Sequence, residues 1–159
     1  ERFRVIRARV RGARGGGGGG ASIIYTPTRR LTELVTRALL RTSVRAAPYH
    51  AGLSADVRRR VLRAFLADRV TVIVATSAFG MGIDKSDVRR VLHWGPPPTL
   101  EAYYQEAGRA GRDGHGSECI VLWRSNDFAW GDIDPVMKRY VEAQNDHRRR
   151  ILEYFGEPS

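Results

Sequence analysis

The sequence predicts an α/β fold, a mainly parallel sheet with helices on both faces. Two observations carry that prediction. From Ser22 onward, short apolar runs alternate with amphipathic stretches of helical period, the pattern of a sheet threaded by crossover helices. The run Val70–Ala75 is also continuously apolar and rich in valine, as a strand buried on both faces must be.

The elements follow in order. Ser22–Tyr25 reads as a strand closed by Thr26-Pro27-Thr28. Thr28 can cap a helix on which Leu31, Leu34, Val35, Ala38 and Leu39 recur at helical spacing. Val44–Pro48 is a second strand. Ser54 caps a helix that turns Val57, Val61, Leu62, Phe65 and Leu66 inward and Arg58, Arg59, Arg60 and Arg63 to water. Val70–Ala75 and Val88–Trp94 are the next strands. Thr99 opens a helix through Gln105, Ser117–Trp123 is the last strand, and Ser125 caps a helical region broken near Gly131 and Pro135. Trp94, Trp123 and Trp130 read as core residues, as does Cys119 in mid-strand. Residues 1–21, with six arginines and the glycines Gly15 to Gly20, are expected to be a flexible segment or linker.

Composition narrows the function. The formal charge of +10 points to a polyanionic partner, although residues 1–21 contribute half of it. Lys85 and Lys138 are the only lysines, so the basic groups are nearly all arginine. One cysteine excludes an internal disulfide framework and fits a reducing compartment. No apolar run approaches the ~20 residues that a spanning helix needs, so no membrane partner is expected. The chain begins at Glu1 rather than Met, without the apolar stretch of a secretory signal, and is expected to be part of something longer.

The sharpest segment is Tyr103-Tyr-Gln-Glu-Ala-Gly-Arg-Ala-Gly-Arg-Asp-Gly114. On a helix, Gln105, Arg109 and Arg112 would share one face. Gly108 and Gly111 would each cost ~1 kcal/mol in an ordinary helix interior, so a close approach to another surface must offset them. Planar, always-charged guanidinium groups suit the oxygens of a terminal phosphate. The plainer reading is a solvated basic helix end paired with Glu106 and Asp113. Upstream, the glycine-rich Phe79-Gly-Met-Gly82 follows a buried strand, at the sheet edge where open α/β sheets bind ligands; an ordinary tight turn is the bland alternative.

Together these segments resemble the second motor domain of RecQ-type DNA helicases of superfamily 2, over roughly residues 22–157. Ile23–Arg29 resembles motif IV, Val74–Asp84 motif V, and Gln105–Gly114 motif VI. Tyr49–Leu53 and Tyr154–Glu157 also match the family's wording. The resemblance implies a RecA-like domain over residues 22–130 and, over 131–159, a helical extension that begins the region beyond the motor. It implies catalytic roles for Arg112 as an arginine finger, Arg109 as its helper and Gln105 as a sensor of nucleotide. Asp84 and Gly82 would join both arginines in binding ATP. Thr28, Arg29, His50, Thr76 and Ser77 would contact DNA, beside the plainer reading of His50 as a packing or hydrogen-bonding residue. Implied partners are single-stranded DNA, duplex junctions and the first RecA-like domain of the same protein. The implied location is the nucleus, or the cytoplasm and nucleoid of a bacterium.

The pattern also departs from the family. No Gly-x-x-x-x-Gly-Lys-Ser/Thr and no Asp-Glu-x-His is present. ATP and Mg²⁺ would therefore be held mainly by another domain, and this chain would be inactive as an ATPase alone. Asp146 stands where the family carries the first zinc-binding cysteine, and no metal site is expected here. Two other readings stay open: an RNA helicase of the DEAD/DEAH kind, and a non-catalytic module that binds DNA or protein.

Overall fold

The computed structural model describes residues 1–11, 19–129 and 131–157. Helix α1 (Arg2–Arg11) is followed by β1 (Ala21–Tyr25), α2 (Arg29–Leu40), β2 (Ala46–Tyr49), α3 (Ala55–Leu66) and β3 (Val72–Ala75). Then come β4 (Val88–Trp94), α4 (Leu100–Ala107), β5 (Glu118–Leu122), a short 3-10 turn at Ser125–Ala129, α5 (Pro135–Glu142) and α6 (His147–Phe155). The five strands form one sheet in the order β2-β3-β1-β4-β5, with every neighbouring pair parallel. The expected architecture is therefore the observed one.

Alternation along buried strands divides the core into two layers, because successive side chains point to opposite faces. Ile23, Tyr25, Ile73, Ala75 and Val91 face one side, where Phe65 of α3 and Phe79 and Ile83 of the β3–β4 connection cover them. Ile24, Val72, Val74 and Leu92 face the other, beneath Val35 and Leu39 of α2 and Ile6 and Val10 of α1. A third cluster joins Leu100 and Tyr103 of α4 to Met137, Tyr140 and Val141 of α5. The predicted caps are made: Thr28, Ser54 and Thr99 accept from the N–H groups of Leu31, Val57 and Ala102.

Several expectations fail for identifiable reasons. Residues 1–21 are not a linker throughout, since Arg2–Arg11 form a helix that seals one face of the sheet through Ile6 and Val10, both buried. Gly15 to Gly18 lie outside the described residues, as does Trp130. Trp123 and Cys119 are exposed rather than core, because β5 is the edge strand and lacks a neighbour on one flank. Trp94 is half-buried against the α1/α2 layer. Leu34 and Leu66, placed inward by periodicity, are exposed; each lies on the rim of its helix's apolar stripe. Ser125 heads the 3-10 turn, while Asp134 caps α5.

Candidate functional site

All strands run in the same direction, so their carboxyl ends share one rim. The rim of the β2–β3–β1 half carries His50 after β2, Thr76 and Ser77 after β3, and Thr28 and Arg29 after β1. Thr28, Arg29 and Ser77 are exposed, and Thr76 is half-buried. Helices leave β1 and β4 on opposite faces, which opens a crevice between the carboxyl ends of these adjacent strands. A cavity of about 260 Å³ lies there, lined by Tyr25, Thr26, Thr76, Ser77, His93 and Glu106 among others.

His50 does not join the exposed groups. It is 6% exposed, its Nε2 lies 2.9 Å from Glu33 Oε1, and its Nδ1 accepts from the Gly52 N–H at 3.2 Å. Both ring nitrogens are thus occupied, with the Nε2–H donating to Glu33. The residue braces the β2–α3 loop against α2.

The motif VI segment departs from the expected helix. Helix α4 ends at Ala107, and residues 108–113 continue as turns, with Gly111 at φ +66°. Gln105 remains helical and exposed, while both arginines belong to the turns beyond it. Gly111 explains the break: its left-handed backbone suits glycine, its N–H donates to Val88 O at 2.9 Å, and an added Cβ would sit 2.6 Å from Ser117 Oγ. Both arginines lie alongside the β3–β4 connection, Arg109 close to Tyr25 at the carboxyl end of β1 and Arg112 farther along that connection.

There the two conspicuous segments meet. Arg109 donates to the Gly80 carbonyl oxygen, and Arg112 Nη1 donates to Ile83 O at 3.2 Å and lies 3.8 Å from Asp84 Oδ1. Gly80, at φ +144°, leaves its Cβ side to the Arg109 guanidinium; any side chain would expel it. The two arginines differ in freedom. Arg109 Nε is buried without a partner among the described residues, whereas the Arg112 side chain is 42% exposed and Asp84 is 93% exposed. Gly82, at φ +73°, is exposed with open space around it.

Buried polar groups fix this loop from beneath. Tyr25 donates to Phe79 O at 3.1 Å and stacks on His93, whose Nε2 lies 2.8 Å from Glu106 Oε2. Burial drives the Tyr25 phenol far above its ordinary pKa, while the charge of Arg109 pulls it partly back. At the loop's far end Lys85 is nearly enclosed, bonded to Asp68 at 2.7 Å and paired with Asp87 at 3.0 Å. Burial disfavours its charge, but the bonds to Asp68 and Asp87 outweigh that and raise its pKa. Arg89 likewise clamps Asp113 at 2.5 Å, holding that carboxyl down to about 2. Composition alone could not have singled out Tyr25, His93 or Lys85; a histidine following the apolar pair Val91 and Leu92 in β4 was the available signal for His93. Among the described residues no group of three or more His, Cys, Asp or Glu side chains gathers to hold a metal, and no helix is long and apolar enough to cross a membrane.

A five-stranded parallel sheet with helices on both faces, an arginine pair held against a glycine-rich loop, and polar groups along one rim define a RecA-like domain of the helicase type. The chain belongs to the helicase conserved C-terminal domain family, which matches residues 10–114. Its relatives include the ATP-dependent DNA helicase RecQ of Bacillus subtilis, 47% identical over 82% of this chain and 21% of that protein. The mouse bifunctional 3'-5' exonuclease/ATP-dependent helicase WRN is 50% identical over 84% of this chain and 11% of that protein. The chain thus spans about a fifth or less of these two relatives. Among solved structures, Mycobacterium smegmatis helicase Lhr bound to ssDNA and AMP-PNP matches with a TM-score of 0.69 at 25% identity, covering 88% of this chain and 18% of that one. A DEAD box protein from Methanococcus jannaschii matches with a TM-score of 0.71 at 22% identity, over 99% of this chain and 38% of that one. The second likeness shows the fold.

Proposed function

We propose that this domain is the second motor domain of a 3′–5′ DNA helicase of RecQ type, closing on a first RecA-like domain that binds ATP and Mg²⁺. The observation that carries this reading is the meeting of the arginine pair with the β3–β4 loop. Arg112 is the arginine finger. Its guanidinium has one carbonyl partner and one distant carboxylate, leaving donors free for the oxygens of a γ-phosphate. Asp84 holds the finger between turnovers and gives way when a phosphate of higher charge arrives. Arg109, pinned to Gly80, fixes the loop, and exposed Gln105 faces the nucleotide from the end of α4. Bound Mg²⁺ supplies charge neutralisation at the phosphates, and the finger adds to it as charge develops in the transition state.

The same loop begins at Thr76 and Ser77, so a pull on the arginines is transmitted to the rim. Thr28, Arg29, Thr76 and Ser77 grip the phosphates of a single strand, contacts that position DNA without reading its bases. Alternating closure and release then moves the strand. This chain alone does not hydrolyse ATP, since the phosphate cradle belongs to the other domain. The deciding experiment is Arg112→Ala in the full-length protein. DNA-stimulated turnover should fall by the ~10³–10⁵ that a finger contributes, with DNA affinity little changed. Unchanged turnover refutes the assignment.

A further inference from the structure

Outside this site the most uneven property of the molecule is its charge. Residues 29–69 hold ten arginines against three acidic residues, whereas residues 70–159 hold eleven basic groups against thirteen acidic ones. The excess is arranged in space. Helix α3 buries Phe65 against the sheet and leaves Arg59, Arg60 and Arg63 exposed on its outer side. At its foot, the Arg69 N–H donates to Ala64 O at 2.9 Å, and Thr71 N–H donates to Arg45 O at 2.9 Å. The exposed side chains of Arg69 and Arg45 therefore begin where the helix ends. At its head, Arg29 crosses Gly52 so closely that an added Cβ would lie 3.3 Å from its Cδ and Nη1. A line of guanidinium groups thus runs from the rim, down α3, to the start of β2.

Nothing in the described chain neutralises most of that line. Arg59 pairs with Asp56, but Arg45, Arg60, Arg63 and Arg69 have no carboxylate partner among the described residues. Arg60 and Arg63, at i and i+3, are surface neighbours, where like charges repel. An ordinary solvated helix face intersperses both signs; this one does not. Helix α3 is about 18 Å long, and one strand of a duplex presents a phosphate every ~3.4 Å, so the face spans several phosphates.

We propose that the outer face of α3, with Arg45 and Arg69 at its foot, is a second DNA-backbone contact that takes the phosphates of nucleic acid beyond the rim. This rests on the DNA-motor reading above and extends it to a surface outside the motifs. Recognition is electrostatic and indifferent to sequence.

The test is the salt dependence of DNA binding by the full-length protein carrying Arg60→Gln and Arg63→Gln together. Each phosphate contact contributes ~0.7 to the slope of log affinity against log salt for a single strand and ~0.9 for a duplex. The slope should therefore become shallower by about 1.4–1.8, on a single strand, on a duplex with a 3′ overhang, or on both, and the substrate affected identifies whose phosphates are held. Arg60→Lys with Arg63→Lys should keep the parental slope, since charge is retained. DNA-independent ATP hydrolysis should not change in either variant. An unaltered slope on both substrates overturns the proposal. A wild-type protein whose ATPase ignores DNA, but whose slope still falls in the Gln variant, removes the motor reading while leaving the contact standing.

Discussion

Gly80→Ala tests the contact on which the site is built. An added Cβ would lie 2.6 Å from Arg109 Nε and closer still to the guanidinium carbon and Nη2, so the whole head group must leave its place. Two costs follow. A non-glycine residue held at φ +144° carries about 1–3 kcal/mol of backbone strain. Expelling Arg109 also forfeits its bond to the Gly80 carbonyl, and hydrogen bonds involving a charged group contribute about 1.5–3 kcal/mol. The sum, roughly 2.5–6 kcal/mol, is a large part of the 5–15 kcal/mol that a domain usually possesses. Denaturant unfolding of the single variants Gly80→Ala and Arg109→Ala and of their combination separates the terms. In the Arg109→Ala background the glycine change should cost only the strain, leaving a coupling energy of about 1.5–3 kcal/mol between the two sites. Strictly additive penalties would falsify the claim that this glycine exists to seat that guanidinium.

Two further outcomes are expected. His50→Ala should destabilise the protein by about 1–3 kcal/mol, since it strips partners from Glu33 and the Gly52 N–H; DNA affinity should barely move, and a large drop in affinity at unchanged stability would return His50 to the DNA contacts. Asp113, held by Arg89 at about 2 instead of the ordinary 3.8, stabilises the fold above pH ~4 and loses that contribution as pH falls through about 2. Asp113→Asn should therefore flatten the acid limb of the stability curve between those values, and acid melting that is identical in the variant would contradict the clamp.

The sheet was legible because its strands announce themselves: buried parallel strands must be apolar on both faces, and Val72–Ala75 and Ile23–Tyr25 satisfy that condition locally. Three helix caps were readable for the same reason, since a hydroxyl capping an N–H three residues on is a short-range event. What escaped depended on neighbours distant in sequence. Phe3, Ile6 and Val10 do form a helical stripe, but the arginines between them and the glycines after them mask it. Exposure of Cys119 and Trp123 follows from β5 standing last in the sheet, and strand order is not encoded in any single run. The helical spacing misplaces the motif VI arginines, and their meeting with the glycine-rich loop was not legible, because the bond from Gly111 to Val88 that ends the regular geometry joins residues far apart in the chain.

The open flank of β5 has a consequence for how copies of this protein behave together. A bare strand edge invites a second molecule to zip onto it and start a growing stack. Here the edge begins with Glu118, tied laterally to Arg9 at 2.8 Å and to Arg90 at 3.4 Å. A carboxylate held by two guanidinium groups crowds the first rung of any incoming ladder with ions that must shed water to admit it. Glu118 thus makes that edge a poorer template for self-pairing, as charged side chains on edge strands do.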